Sequence, residues 1–190
     1  MVNNAGVMTP FTYFAYGSNM LTGRLRERCA TARVLGLATA KGYLVHFSKK
    51  GRDGSGKASI RRTDARRAIV HGVLFEIDVS ERAILDRFES HPSGYKRDDH
   101  FIVETADTRN RLEVSTYIAA DNTIDESLKP FDWYLALVIA GVIQHKLPDD
   151  YLEAFMKTEC VRDPDHDNRR TAFKLLKTIA TGPMRRGSSH

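Results

Sequence analysis

The chain has 190 residues, 42% of them hydrophobic and 28% charged, with a formal net charge of +5. That length and composition suit a single globular domain with a sizeable core. No run approaches the roughly 18 apolar residues of a membrane span, and Met1 to Pro10 lacks a basic segment followed by an apolar one, so the expectation is a cytoplasmic protein with no membrane partner.

Residues 11–16 read as a buried strand. Asn19 then caps a helix that turns Met20, Leu21 and Leu25 inward and Arg24, Arg26 and Arg28 outward. Residues 34–37 and 43–47 read as strands, followed by a polar, Gly-rich loop over 48–56. Strands over 58–61 and 68–77 come next. Ser80 is the expected N-cap of a short helix running to about Glu89, with Ile84, Leu85 and Phe88 on its buried face. Strands over 101–104 and 112–118 are joined by a hairpin at 107–110. Helices follow over 131–144, 149–156 (opened by Pro148) and 171–179. Strands first and helices last predict an α+β fold, a curled sheet or small barrel with helices packed outside. The predicted domain is 11–180, between a flexible N-terminus over 1–10 and a flexible tail over 181–190 that ends in what reads as an added tag.

Charge is unevenly spread. Residues 1–70 hold 13 Lys/Arg against Glu27, Asp53 and Asp64, and the remainder holds 16 against 21 acids. A basic half can mean a solvated face, a nucleic-acid surface through 24–67, or an anionic small substrate drawn to one side. No aromatic-interleaved or helix-turn-helix pattern supports nucleic acid. Cys29 and Cys160 form no CxxC and fit free thiols in a reducing compartment.

Two places carry candidate chemistry. Tyr16-Gly17-Ser18-Asn19 is a Gly turn between strand and helix, where unpaired backbone N–H groups favour a carboxylate or phosphate. The same residues also suit a plain strand–helix corner. Glu89 follows Phe88 at a helix C-terminus, where the helix dipole and partial burial both push a carboxyl's pKa upward, the direction a general base needs. It reads equally as a partly exposed partner of Arg87 or Lys96. Gly51 to Ala58 nearly spells GxxxxGK[ST], but Ala58 replaces the Mg²⁺-holding hydroxyl and a strand follows, so the loop suits a pocket rim better than a nucleotide site. Asp163-Pro164-Asp165-His166-Asp167 lacks the Gly and Glu of a calcium loop, and the seven His show no zinc spacing. No metal, cofactor or enzyme nucleophile is expected.

The ordered set Tyr16-Gly17-Ser18-Asn19, Leu85-Asp86-Arg87-Phe88-Glu89, Gly94-Tyr95, Phe131-Asp132-Trp133-Tyr134, Ala140-Gly141 and Leu147-Pro148-Asp149-Asp150-Tyr151 resembles the γ-glutamylcyclotransferase family. The resemblance implies a small mixed β-barrel with surrounding helices. It implies cyclisation of a γ-glutamyl group to 5-oxoproline with release of a free amine or amino acid. Glu89 would be the general acid/base. Tyr16, Gly17, Ser18 and Asn19 would hold the γ-glutamyl group through backbone amides, Tyr134 would offer a phenol, and Tyr95 would line the cavity. The implied partner is a small γ-glutamyl molecule, whether amino-acid conjugate, isopeptide amine or glutathione, acting on a monomer or homodimer. A binding module that senses such a metabolite without turnover is the alternative. The basic segment 49–67 and the length after Tyr151 depart from the family pattern, which leaves the leaving-amine side of the pocket open.

Overall fold

The computed structural model describes residues 9–180, with side chains to 177. The readings of 1–8 and of the tail from 181 lie outside the described residues. In chain order the elements are β1 (Pro10–Ala15), α1 (Thr22–Arg26), β2 (Arg33–Lys41), β3 (Tyr43–Lys50), β4 (Gly56–Arg62) and β5 (Ile69–Asp78). Then come α2 (Arg82–Phe88), β6 (Tyr95–Thr105), β7 (Arg111–Ala119), α3 (Asp132–Gln144), α4 (Asp149–Met156) and α5 (His166–Ala180).

Five strands close a barrel in the order β1-β5-β2-β6-β7, while β3 and β4 form a separate hairpin. Barrel neighbours are antiparallel except β1 and β7, which meet in parallel where Tyr13 pairs with Ser115. The fold is therefore α+β, as the strand-then-helix order predicts, with the mixed barrel that the resemblance implies. Phe14 stacks on Phe101 across the barrel with ring centres 6.1 Å apart, and Val70 and Val103 are buried on the same faces of their strands as this pair, whereas Val73 and Phe75 point to the other side of β5, where Phe75 lies 6.2 Å from the His145 ring. Gly72 is required where β5 crosses β1, because a Cβ there would sit 2.4 Å from the Ala15 carbonyl oxygen and 2.6 Å from the Phe14 ring.

Helix α3 is apolar on most sides and buries Leu137, Val138 and Val142, which suits a helix covered by the turn over Ser18–Met20, α4 and α5 together. The segment after Tyr151 fastens α5 to it. Asp163, 2% exposed, accepts hydrogen bonds from Trp133 Nε1 (2.6 Å) and Asn168 Nδ2 (3.2 Å), and Arg169 pairs with Asp132 at 3.1 Å. Cys29 and Cys160 are free thiols. Among the described residues no helix is long and apolar enough to cross a membrane.

Several boundaries differ from the sequence reading. β3 runs through Lys50, so only 51–55 remain as a turn of the expected loop. β6 begins at Tyr95, not residue 101. Its first half is polar because Arg97 is ion-paired there to Asp86 and Asp99, which erases the apolar period. Ser80 does not cap α2; the Asp78 carboxylate accepts from the Ser80 N–H at the start of a preceding 3-10 turn.

Asp86 locks α2 to the barrel. Its carboxylate accepts from Arg97 Nη1 (2.6 and 2.8 Å) and from the Tyr117 hydroxyl (2.7 Å). Tyr117→Phe is expected to lower stability by about 1.5 kcal/mol, the low end for a hydrogen bond to a charged group. Urea unfolding reads this, and an unchanged midpoint would remove Tyr117 from the lock.

Candidate active site

The chain leaves β1 at Ala15, and Tyr16 and Gly17 lead into a single 3-10 turn, Ser18–Met20. Met20 and Leu21 are fully buried and seat the turn on α3, where a Cβ on Gly141 would lie 2.8 Å from Met20 Cβ. On the other side β4 presses close, since a Cβ on Gly17 would lie 3.0 Å from Ala58 Cβ. The turn is too short for its first N–H groups to find partners within it, and those of Ser18 and Asn19 make no hydrogen bond among the described residues.

Asn19 is not a cap. It lies inside the turn, and its side chain is buried, with Nδ2 donating to the Tyr13 hydroxyl (3.1 Å) and to Glu89 Oε1 (2.9 Å). Its Oδ1 is buried without a partner.

Glu89 is the C-cap of α2. The chain turns out of the helix through Ser90 (φ 55°), with Ser90 N–H donating to the Arg87 carbonyl (3.1 Å) and His91 N–H to that of Asp86 (2.9 Å). Because the helix stops there, Phe88 is not buried as its spacing predicts. It is 54% exposed, with the Arg28 guanidinium 5.0 Å above its ring. The Glu89 carboxylate pairs with Arg28 at 3.0 Å, not with Arg87 or Lys96. Arg28 was expected to face outward, but α1 has five residues and ends before it, so helical spacing does not set its direction. Arg24 also turns in, its Nε donating to Ser18 Oγ at 3.0 Å, whereas Arg26 stays exposed.

Tyr16, Gly17, Ser18, Asn19, Glu89, Tyr95 and Tyr134 line one cavity, together with Tyr13, Ala58 and Tyr117. Sequence reading named Ala58 only as the end of the GxxxxGK-like stretch, and did not name Tyr13 or Tyr117 as site residues. Tyr13 and Tyr117 arrive through the β1–β7 closure, which leaves no local signature. The phenols differ in what they can offer. Tyr16 donates to the Tyr117 carbonyl and Tyr95 to that of Ala58 (2.7 Å), so both protons are engaged. Tyr134 instead accepts the Ala58 N–H at 3.1 Å and keeps a proton to donate. Burial raises the pKa of all three above the usual tyrosine value, so they are neutral at physiological pH.

The GxxxxGK-like stretch ends the β3–β4 hairpin beside this cavity. Lys57 bonds back to Asp53 at 2.6 Å and its ammonium lies 4.6 Å from the Tyr134 ring centre. The Arg52 guanidinium donates to Ser90 Oγ at 3.0 Å, joining the hairpin to the end of α2.

The arrangement can hold an anion or a carbonyl oxygen at backbone donors, offer a neutral phenol, and move a proton through a carboxylate whose Oε2 makes no hydrogen bond among the described residues. Solved structures share the fold. A gamma-glutamyl cyclotransferase superposes with a TM-score of 0.77 at 22% identity, over 87% of this chain and 99% of that one. The Homo sapiens protein loc79017 gives 0.75 at 22% identity, over 86% and 98%. A yeast gamma-glutamyl cyclotransferase specific to glutathione gives 0.57 at 11% identity, over 86% and 97%. No curated protein sequence matches the chain significantly. The family profile "Gamma-glutamyl cyclotransferase, AIG2-like" matches residues 13–135, from β1 to the first turn of α3 and across every residue of the cavity. The chain belongs to the gamma-glutamyl cyclotransferase, AIG2-like family.

Proposed function

We propose that this protein cyclises the γ-glutamyl group of a small amide to 5-oxoproline, with Glu89 as general base and then general acid. The observation that carries this reading is the mostly buried Glu89 carboxylate held 2.9 Å from Asn19 across a cavity walled by the Gly17 turn. The substrate brings its own nucleophile. Its α-ammonium gives one proton to Glu89 and the freed amine attacks the γ-carbonyl, forming a new C–N bond and a five-membered ring. The original amide C–N bond then breaks as the ring nitrogen gives up its second proton; that proton and the one Glu89 returns both end on the departing amine, which leaves as an ammonium while the lactam nitrogen keeps one hydrogen. No water, metal or cofactor enters the balance.

Each remaining part has a matching task. The unpartnered Asn19 Oδ1 is an acceptor suited to the α-ammonium, and the Ser18 and Asn19 N–H groups are donors suited to the α-carboxylate or to developing oxyanion charge. Tyr134 supplies a neutral phenol and Tyr95 a wall. Folding the substrate into its ring-closing shape is worth roughly 7–11 kcal/mol in well-oriented intramolecular reactions. The test is 5-oxoproline release from γ-Glu-Ala, γ-Glu-ε-Lys and glutathione. Release from at least one is expected; binding without release from any would convert the reading to that of a metabolite-binding module.

A further inference from the structure

Beyond Glu89 lies a second cavity of about 160 Å³ that shares Ser18, Glu89, Tyr95 and Tyr134 with the first. Five of its other lining side chains are cationic, Arg24, Arg28, Lys49, Arg52 and Lys57, beside Phe88 and Ser90. Arg28 is neutralised by Glu89 and Lys57 by Asp53. Arg24, Lys49 and Arg52 have no ion-pair partner among the described residues. Arg24 and Arg52 reach neutral hydroxyls, those of Ser18 and Ser90. Lys49 is 7% exposed, makes no side-chain hydrogen bond among the described residues, and rests 4.8 Å from the Tyr95 ring centre.

A largely buried ammonium that no acid reaches by hydrogen bond is costly, and such groups are kept where a charge arrives to meet them. Burial lowers the Lys49 pKa and brings that of Arg24 to about 10, which leaves Arg24 charged at neutral pH. The positions of the two cavities assign the anion. With the γ-glutamyl group against the Gly17 turn and its amide beside Glu89, the amine portion extends into the cationic chamber.

We propose that this chamber is the leaving-amine subsite and that it selects γ-glutamyl conjugates whose departing amine is anionic, through carboxylates or a phosphate, over uncharged amines. The inference rests on the cyclotransferase reading above. It names Lys49, Arg24 and Arg52 as specificity residues.

The test compares γ-Glu-Glu, γ-Glu-Ala and γ-glutamyl-O-phosphoethanolamine with γ-Glu-alaninamide, which keeps the shape of γ-Glu-Ala but loses the charge. The expected kcat/KM for γ-Glu-Ala exceeds that for the amide by about tenfold or more, the scale of one charge-assisted hydrogen bond. γ-Glu-Glu is expected to lie higher still, and the phosphate arm separates phosphate from carboxylate recognition. Arg52→Gln, an exposed site safe for folding, should shrink the acid-to-amide ratio several-fold, and Lys49→Gln more so. A ratio near one in the wild type, or one untouched by both variants, overturns the subsite. Failure to cyclise any of these compounds, or γ-Glu-ε-Lys and glutathione assayed beside them, sinks the cyclotransferase reading instead. Calorimetric affinities of the same intact compounds then decide the subsite alone, with γ-Glu-Glu expected to bind about tenfold or more tightly than γ-Glu-alaninamide, and equal affinities ruling it out.

Discussion

Replacing Glu89 with Gln is expected to lower kcat for 5-oxoproline release by about 10²–10⁴-fold, the usual share of a positioned acid–base group, while the fold survives. Gln has the same size, and its Oε1 can still accept from Asn19 Nδ2 and Arg28 Nη1, the two contacts that hold the carboxylate. What disappears is the second oxygen's capacity to take a proton from the substrate ammonium. KM should change far less than kcat, because the backbone donors of the turn are untouched and Arg28 keeps an acceptor in the Gln carbonyl. Glu89→Asp retracts the carboxylate by one methylene, roughly the 1 Å misplacement that can cost about 10²-fold, so partial activity is expected from it. Retention of more than a tenth of wild-type kcat by Glu89→Gln would remove Glu89 from the chemistry. A merely structural role for its ion pair would instead show as lost stability with kcat preserved in the remaining folded protein.

Gly141→Val should carry the largest stability loss of the substitutions considered. A Cβ at Gly141 would come within 2.8 Å of Met20 Cβ and 2.9 Å of the Leu21 backbone nitrogen, and backbone cannot swing aside as a flexible side chain does. Overpacking of this kind costs about 1–3 kcal/mol. Alanine would recover about 1 kcal/mol through its better helix propensity; valine, branched at Cβ, recovers less and adds two methyl groups. At roughly 2–4 °C per kcal/mol for a chain of this size, Tm should fall by several degrees. Relief of the clash has one direct route, displacement of the Ser18–Met20 turn, so KM should rise together with the loss of stability. Ile143→Ala, two residues on and 58% exposed, is the control and should stay within about 0.5 kcal/mol. An unchanged Tm and KM in Gly141→Val would show that the turn is not seated on α3 as described.

The two ends of the site were legible because each is punctuated locally. Gly17 after an aromatic strand marks a turn, and the apolar spacing of Ile84 and Leu85 marks a helix that delivers Glu89. The positions of most strands and of the late helices were legible from periodicity, and with them the α+β class. Phe88 was misread because its spacing assumes a helix that continues, whereas α2 stops at that residue. Asn19 was misread because a cap and a one-turn 3-10 segment have the same local residues.

What the sequence by itself determined is the list of chemical groups and the local segments that carry them, since turns and helix ends depend on neighbours a few residues apart. Who meets whom was decided by the tertiary structure. Asn19 reaches Glu89 across 70 positions and Arg28 across 61, contacts that depend on the barrel closing between β1 and β7. The same closure, with the β3–β4 hairpin laid against α2, turns scattered basic residues into the wall of one chamber. Local periodicity could place Arg24 and Arg28 only relative to their own short helix. Their charge became a binding feature because the packed fold removed water from around it and left few acidic groups to answer it.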